Sequence, residues 1–227
     1  MLLQSRDILY EEFERDKVPL KYNLPLLLIK GRGIKGIGLK NILITGGARS
    51  GKSRFAQELA LRLGKTVLFV ATAVAGDEEM RQRIAEHQRT RPVAWNTLEV
   101  TTHVGSEIIQ KIGRAQVVIV DCITLLVSNI FGQYTDQTGE QIDAALVEQE
   151  VTTEISELLE CLNRIDVSFI MVTNEVGMGL VPANQMGRLY RDLLGKANQL
   201  LAQQVDEVYL MVAGVPVRIK PAQHFGT

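Results

Sequence analysis

Asn41-Ile42-Leu43-Ile44-Thr45-Gly46-Gly47-Ala48-Arg49-Ser50-Gly51-Lys52-Ser53 is the stretch that decides the fold. Its first five residues are a β-branched and apolar run, as expected of a buried strand, and glycines follow at once. Ser53 to Leu63 then reads as a helix, with Phe55, Leu59, Leu61 and Leu63 as its apolar positions. Between the two, Gly46 to Ser53 fills the template G-x-x-x-x-G-K-S/T, after a strand and at the opening of a helix. Glycines let backbone N–H groups close on phosphate oxygens, and the helix N-terminus adds positive potential. In this chemistry the Lys52 ammonium bridges the β and γ phosphates, and the Ser53 hydroxyl is offered to Mg²⁺.

Working outward, Thr66 to Ala73, Gln116 to Asp121, Val167 to Thr173 and Glu207 to Val212 are further continuous apolar runs. Runs without in/out alternation are what strands covered on both faces look like. Helical stretches fall between them, over 77–88, 104–112, 141–163 and 187–203. Strand and helix alternating in this way predicts an α/β fold, a P-loop NTPase with a mostly parallel sheet and helices on both faces. The expected domain spans 41–220, with a tail over 221–227. Residues 1–40 differ: they carry eight basic against five acidic residues and end in Lys30-Gly31-Arg32-Gly33-Ile34-Lys35-Gly36-Ile37-Gly38, which reads as a flexible link. This extension is a tail, a docking arm or an overlong start.

Composition narrows the function classes. The 227 residues are 46% apolar and 22% charged, which excludes wholesale disorder and a disulfide scaffold. With 25 basic and 26 acidic residues the net charge is -1, which argues against a nucleic-acid partner. No stretch approaches the ~18 apolar residues of a membrane span. Cys122 and Cys161 stand in no metal-ligand spacing and read as buried small hydrophobes of a reducing, cytoplasmic compartment.

Gln116-Val117-Val118-Ile119-Val120-Asp121 ends a buried strand with a carboxylate, suited to hold magnesium beside the loop, partly through water. The carboxyl ends of parallel strands then place the site where Ala73, Asp121 and Thr173-Asn174-Glu175 emerge. Asn174 and Glu175 are candidates for the substrate side. No Asn-Lys-x-Asp string is present, so the guanine-reading motif of switch GTPases is missing. His87 follows Met80 and Ile84 on one helical stripe and lies among Arg83, Arg89 and Arg91. Arginines draw in a triphosphate, and a neutral imidazole has a lone pair able to attack phosphorus. Trp95, Met178 and Met186 are read as packing residues.

Thr45 to Ser53, Arg83-Ile84 with His87, Arg91-Pro92 and Trp95, and above all Thr173-Asn174-Glu175-Val176-Gly177-Met178-Gly179-Leu180-Val181-Pro182 together resemble one family. It is the bifunctional adenosylcobinamide kinase / adenosylcobinamide-phosphate guanylyltransferase family of cobalamin biosynthesis. Arg188, Arg191-Asp192, Asn198 and Asp206-Glu207-Val208 continue the match, which covers 41–220. The resemblance implies a RecA-like P-loop fold and a homo-oligomer, a trimer or small ring. It implies two reactions: phosphorylation of adenosylcobinamide with ATP or GTP, then transfer of GMP from GTP through a guanylyl-histidine to adenosylcobinamide phosphate. By position, Gly47, Ala48, Arg49, Ser50, Gly51, Lys52, Ser53 and Arg54 would hold phosphates. Ala73, Val74 and Ala75, Arg91 and Pro92, Glu99 and Asp121 would lie near nucleotide, with Ser53 and Asp121 near magnesium. Lys52 and His87 would be catalytic, His87 as the guanylylated residue. Some relatives have two adjacent histidines there, where this chain has Glu86-His87. Two other readings of the residues stay open: a P-loop small-molecule kinase without the transferase step, and a nucleotide-dependent assembly module.

Overall fold

A computed structural model describes residues 38–134 and 143–220. The extension expected over 1–40 lies outside the described residues except for 38–40, and the tail expected over 221–227 lies wholly outside them. Seven strands form one sheet: β1 (Asn41–Gly46), β2 (Val67–Ala71), β3 (Asn96–Glu99), β4 (Val117–Asp121), β5 (Ser168–Val172), β6 (Glu207–Val212) and β7 (Val215–Lys220). The helices are α1 (Lys52–Leu63), α2 (Glu78–Thr90), α3 (Val104–Lys111), α4 (Ile123–Gln133), α5 (Ala144–Arg164) and α6 (Gln185–Gln204). Strand order is β3-β2-β4-β5-β1-β6-β7, parallel throughout except for the antiparallel β6–β7 pair. One strand, β5, is interposed between the strand that feeds the glycine loop and the strand that ends in Asp121, a RecA-like arrangement.

Each central strand divides its side chains between two apolar layers. Ile42 and Ile44 of β1 join Val117, Ile119, Ile170 and Val172 under Ala56 and Ala60 of α1. Leu43, Val118, Val120, Phe169 and Met171 face the opposite way, against α3, α4, α5 and α6. The sheet is therefore covered on both faces, which is why its strands read as unbroken apolar runs. Trp95 packs in the α1 layer as expected, and Cys161 is buried.

Three elements extend the expected pattern. β3 is a short edge strand with no fully buried residue, and β7 is almost wholly exposed. α4 has its signal in the spacing of Ile123, Leu126, Val127, Ile130 and Phe131, all buried. The helix starts also differ in a way that matters for the site. Asp77, Asn184 and Asp143 cap α2, α6 and α5 by accepting from backbone N–H groups of the first turn. α3 is capped from outside: Glu154 of α5 accepts from His103 N at 2.7 Å and from Val104 N at 2.8 Å. Both oxygens of Glu154 are thus committed to the helix end, although its carboxylate, Glu157 and His103 stand close enough together to suggest a metal cluster.

Candidate active site

α1 begins without a side-chain cap and without an acidic residue in its first turn. Its N-terminal N–H groups therefore remain available to an anion, whereas α2, α5 and α6 carry their own side-chain caps and α3 is capped by Glu154. The turn before it needs its glycines. A Cβ on Gly46, at φ +146°, would lie 2.5 Å from Met211 O, and Gly51 takes the left-handed conformation at φ +93°. The β6–β7 turn braces the loop from the other side, with Gly214 N donating to Ser50 O at 3.0 Å.

Lys52 is buried, and its ammonium folds back over the loop, donating to Gly46 O at 3.0 Å and Gly47 O at 2.6 Å. Burial holds it below the usual lysine range, against the pull of Asp121. Asp121 leaves the end of β4 with its side chain 11% exposed. Burial pushes its carboxyl above the ordinary range, while a hydrogen bond from the Ser53 hydroxyl and the charges of His87, Lys52 and Arg91 favour the ionised form. His87 Nδ1 lies 3.8 Å from Asp121 Oδ2. This places α2, the helix that carries His87, against the mouth of the glycine loop. Met80, Ile84 and His87 are its half-buried residues together with Ala85, on an otherwise exposed helix.

Arg91 stacks over the Phe69 ring, 3.6 Å from its centroid, and donates from Nη1 to Thr97 Oγ1 at 2.8 Å. Its Nε and the Thr45 hydroxyl are buried polar atoms without a partner among the described residues. The guanidinium charge acts on Asp121, at the end of β4, and suits a phosphate-bearing ligand there. Glu99 faces the same guanidinium electrostatically and accepts from Gln88 Nε2 at 3.5 Å. Gly47, Ala48 and Arg49 are exposed on the loop, and Ser50 is buried. Ala73, Val74 and Ala75 leave β2 at the same sheet edge, with Val74 52% exposed. Pro92 is half-buried, and its carbonyl accepts from Trp95 N. Arg54 is turned outward, with its Nε 3.6 Å from Glu58 Oε1.

Beyond β5, Asn174 N donates to the Thr124 hydroxyl at 2.7 Å, and Glu175 N donates to Gly46 O at 3.1 Å. The Glu175 carboxylate accepts from Gly177 N at 2.6 Å. The residues that hold this corner were not legible as site residues. Asn198 accepts from the Thr173 hydroxyl at 2.7 Å and donates to Asn174 O at 3.1 Å. The buried Thr72 hydroxyl donates to Cys122 O and accepts from Cys122 N, and Asn129 donates to Thr72 O. Cys122 is half-buried beside Asp121 rather than remote in the core, and burial pushes its thiol up to about 12. At neutral pH it is an unreactive thiol.

The fold and this loop define a P-loop nucleotide-using α/β protein. A family model described as "Cobinamide kinase / cobinamide phosphate guanyltransferase" matches residues 42–219, and the chain belongs to that family. It is 41% identical over 180 residues to "Bifunctional adenosylcobalamin biosynthesis protein CobU" of Escherichia coli (strain K12), covering 79% of this chain and 99% of that protein. The same named protein of Salmonella typhimurium is also 41% identical over 180 residues, with the same coverage. "Bifunctional adenosylcobalamin biosynthesis protein CobP" of Pseudomonas aeruginosa is 39% identical over 178 residues, 78% of this chain and 96% of that one. Among solved structures, the RadB recombinase aligns with a TM-score of 0.43 and 16% identity over 75% of this chain and 73% of that chain, too distant to bear on function. No described helix is long and apolar enough to cross a membrane.

Proposed function

We propose that the protein phosphorylates adenosylcobinamide with ATP or GTP, then transfers GMP from GTP through a guanylyl-histidine at His87, giving adenosylcobinamide-GDP. The observation that carries this reading is the approach of His87 Nδ1 to Asp121 Oδ2 at 3.8 Å, beside the Lys52 loop, in a chain of this family.

In the kinase step the acceptor hydroxyl oxygen bonds to the γ-phosphorus and the bond to the β–γ bridging oxygen breaks, releasing the nucleoside diphosphate and a proton. The α1 N–H groups, Lys52 and Arg91 neutralise the phosphate charge. Ser53 and Asp121 bring a hydroxyl and a carboxylate oxygen to one point, a hard-oxygen donor pair that fits Mg²⁺. When bound there, the ion draws charge off the phosphate oxygens.

In the transferase step the lone pair of His87 Nε2 attacks the α-phosphorus of GTP and pyrophosphate leaves. Asp121 faces Nδ1 on the other side of the ring and stabilises the positive charge the ring acquires. A phosphate oxygen of adenosylcobinamide phosphate then attacks the same phosphorus, the P–N bond breaks and the imidazole is restored.

The same reading places the protein in the cytoplasm, where both nucleoside triphosphates are available. It also makes the protein a homo-oligomer, a trimer or small ring. Support for association comes from edge strand β7, where Val215, Val217 and Ile219 are exposed. Sedimentation velocity measures the ring size, and a strictly monomeric chain refutes the oligomer.

The chemistry is tested by incubating the chain with Mg²⁺ and GTP labelled at either the α or the γ phosphate. Protein-bound label from the α position alone, lost in acid, kept in base and absent from His87→Ala, is the expected result. No bound label from an enzyme that binds GTP would overturn the transferase step and leave a P-loop kinase.

A further inference from the structure

Met178, Leu180 and Val181 are 80%, 96% and 68% exposed on the segment that leaves β5. Met178 is therefore not the packing residue its sequence position suggests, whereas Met186 does pack against the core. Three large apolar side chains facing water within four residues need a reason, since isolated exposed hydrophobics are ordinary but grouped ones mark recognition surfaces.

The backbone beneath them is tied down. Thr173 N donates to Ile44 O at 2.9 Å and Glu175 N to Gly46 O at 3.1 Å. Gly177 N donates to Glu175 Oε1, and Gly179 N closes a turn on Val176 O. At the far end the Arg188 Nη1 donates to Pro182 O at 2.9 Å and to Ala183 O at 2.7 Å. Polar bonds thus hold the segment in a shape that presents its apolar side chains outward.

Its position matters as much as its shape. Gly46 O, the anchor for Glu175 N, also accepts from the Lys52 ammonium. Met178 is three residues beyond Glu175, so within about 10 Å of it. A phosphoryl acceptor that brings its hydroxyl to the Lys52 loop has this segment within reach of the rest of its body. Residues 176–183 include no charged side chain, which suits a large apolar ligand and not another phosphate.

We propose that Met178, Leu180 and Val181 form the seat for the ring of a corrinoid acceptor, a broad and largely apolar macrocycle with amide arms. The inference rests on the reading of the protein as a cobinamide kinase and guanylyltransferase. It assigns that substrate's ring to one loop, and apolar contact supplies the affinity while the hydroxyl arm reaches the phosphates.

The test is equilibrium binding of cobinamide, followed by its visible absorbance in dialysis against the full-length chain without nucleotide. The variant carries Met178→Ser, Leu180→Ser and Val181→Ser together. The expected result is a Kd for cobinamide raised tenfold or more, with the Kd for GTP and the sedimentation coefficient unchanged. Leu180→Ser alone, at a side chain with no packing to lose, is expected to raise the Kd at least threefold and serves if the triple variant misfolds. A cobinamide Kd within twofold of wild type overturns the proposal. So does a weakening that appears only together with loss of oligomer mass, which would make the loop an interface between copies. Wild-type chain that binds GTP but no cobinamide at all would instead refute the parent reading of the substrate.

Discussion

Asn198→Asp replaces one NH₂ group by oxygen and keeps the shape of the side chain. In the native corner Oδ1 accepts from the Thr173 hydroxyl at 2.7 Å, and Nδ2 donates to Asn174 O at 3.1 Å. The substitution preserves the first bond and turns the second into two acceptors facing each other. Losing a part-buried hydrogen bond and leaving a carbonyl unsatisfied costs about 1–3 kcal/mol. For a chain of this size each kcal/mol moves the melting temperature by roughly 2–4 °C, so a fall of about 4–8 °C is expected from a mid-range cost. The sign of the pH dependence follows from the same geometry. The introduced carboxyl is disfavoured when ionised, so its folded pKa is raised, and the folded state prefers the neutral form. The deficit is therefore full at neutral pH and shrinks as pH falls through that raised value toward about 4, where a neutral O–H again donates to Asn174 O. Thermal melts by circular dichroism between pH 7 and pH 4.5, each beside wild type, read this out. Because Asn174 leads into the 176–183 segment, the KM for the phosphoryl acceptor rises while the Kd for nucleotide stays. A deficit that is absent, or the same at both pH values, refutes the role given to Asn198.

Glu154→Ala removes the acceptor for His103 N and Val104 N and leaves two N–H groups of the α3 start without their partner, a loss of about 2–4 kcal/mol in chemical denaturation. A loss under about 0.5 kcal/mol would show that water satisfies that helix end. Glu207 is buried, and burial alone would raise its pKa, but the Lys40 ammonium and the Tyr209 hydroxyl outweigh it and hold the carboxyl below the ordinary glutamate range. Its contribution is present above about pH 4.5 and is lost as pH falls through the depressed folded value. Glu207→Gln is accordingly expected to cost about 1 kcal/mol at neutral pH, Lys40 being half exposed, and to show a shallower acid limb than wild type. Parallel acid limbs for the two proteins would refute this.

The features that can be read from the residues are those that are local in the chain. The loop from Gly46 to Ser53 is legible because the phosphate cradle is made by consecutive backbone groups, and residue types there answer directly to backbone conformation. The parallel sheet is legible because strands buried on both faces cannot hide their composition, and Asp121 announces itself by ending one of them. α4 lay within reach of the same reasoning through its apolar spacing. β3 and β7 did not, because edge and exposed strands carry no burial pattern to read.

Tertiary structure alone decided what meets across the sheet. His87 reaches Asp121 because β2, which leads into α2, pairs with β4, and neither sequence distance nor spacing encodes that neighbourhood. Asn198, Thr124, Thr72 and Asn129 are ordinary polar residues until the fold brings partners 24 to 57 positions away within hydrogen-bond reach. Exposure is likewise a property of the whole molecule. Met178, Leu180 and Val181 have the composition of a core segment, and only the tertiary structure turns them to solvent, because hydrophobicity is written in the residue but burial depends on what else is there to cover it.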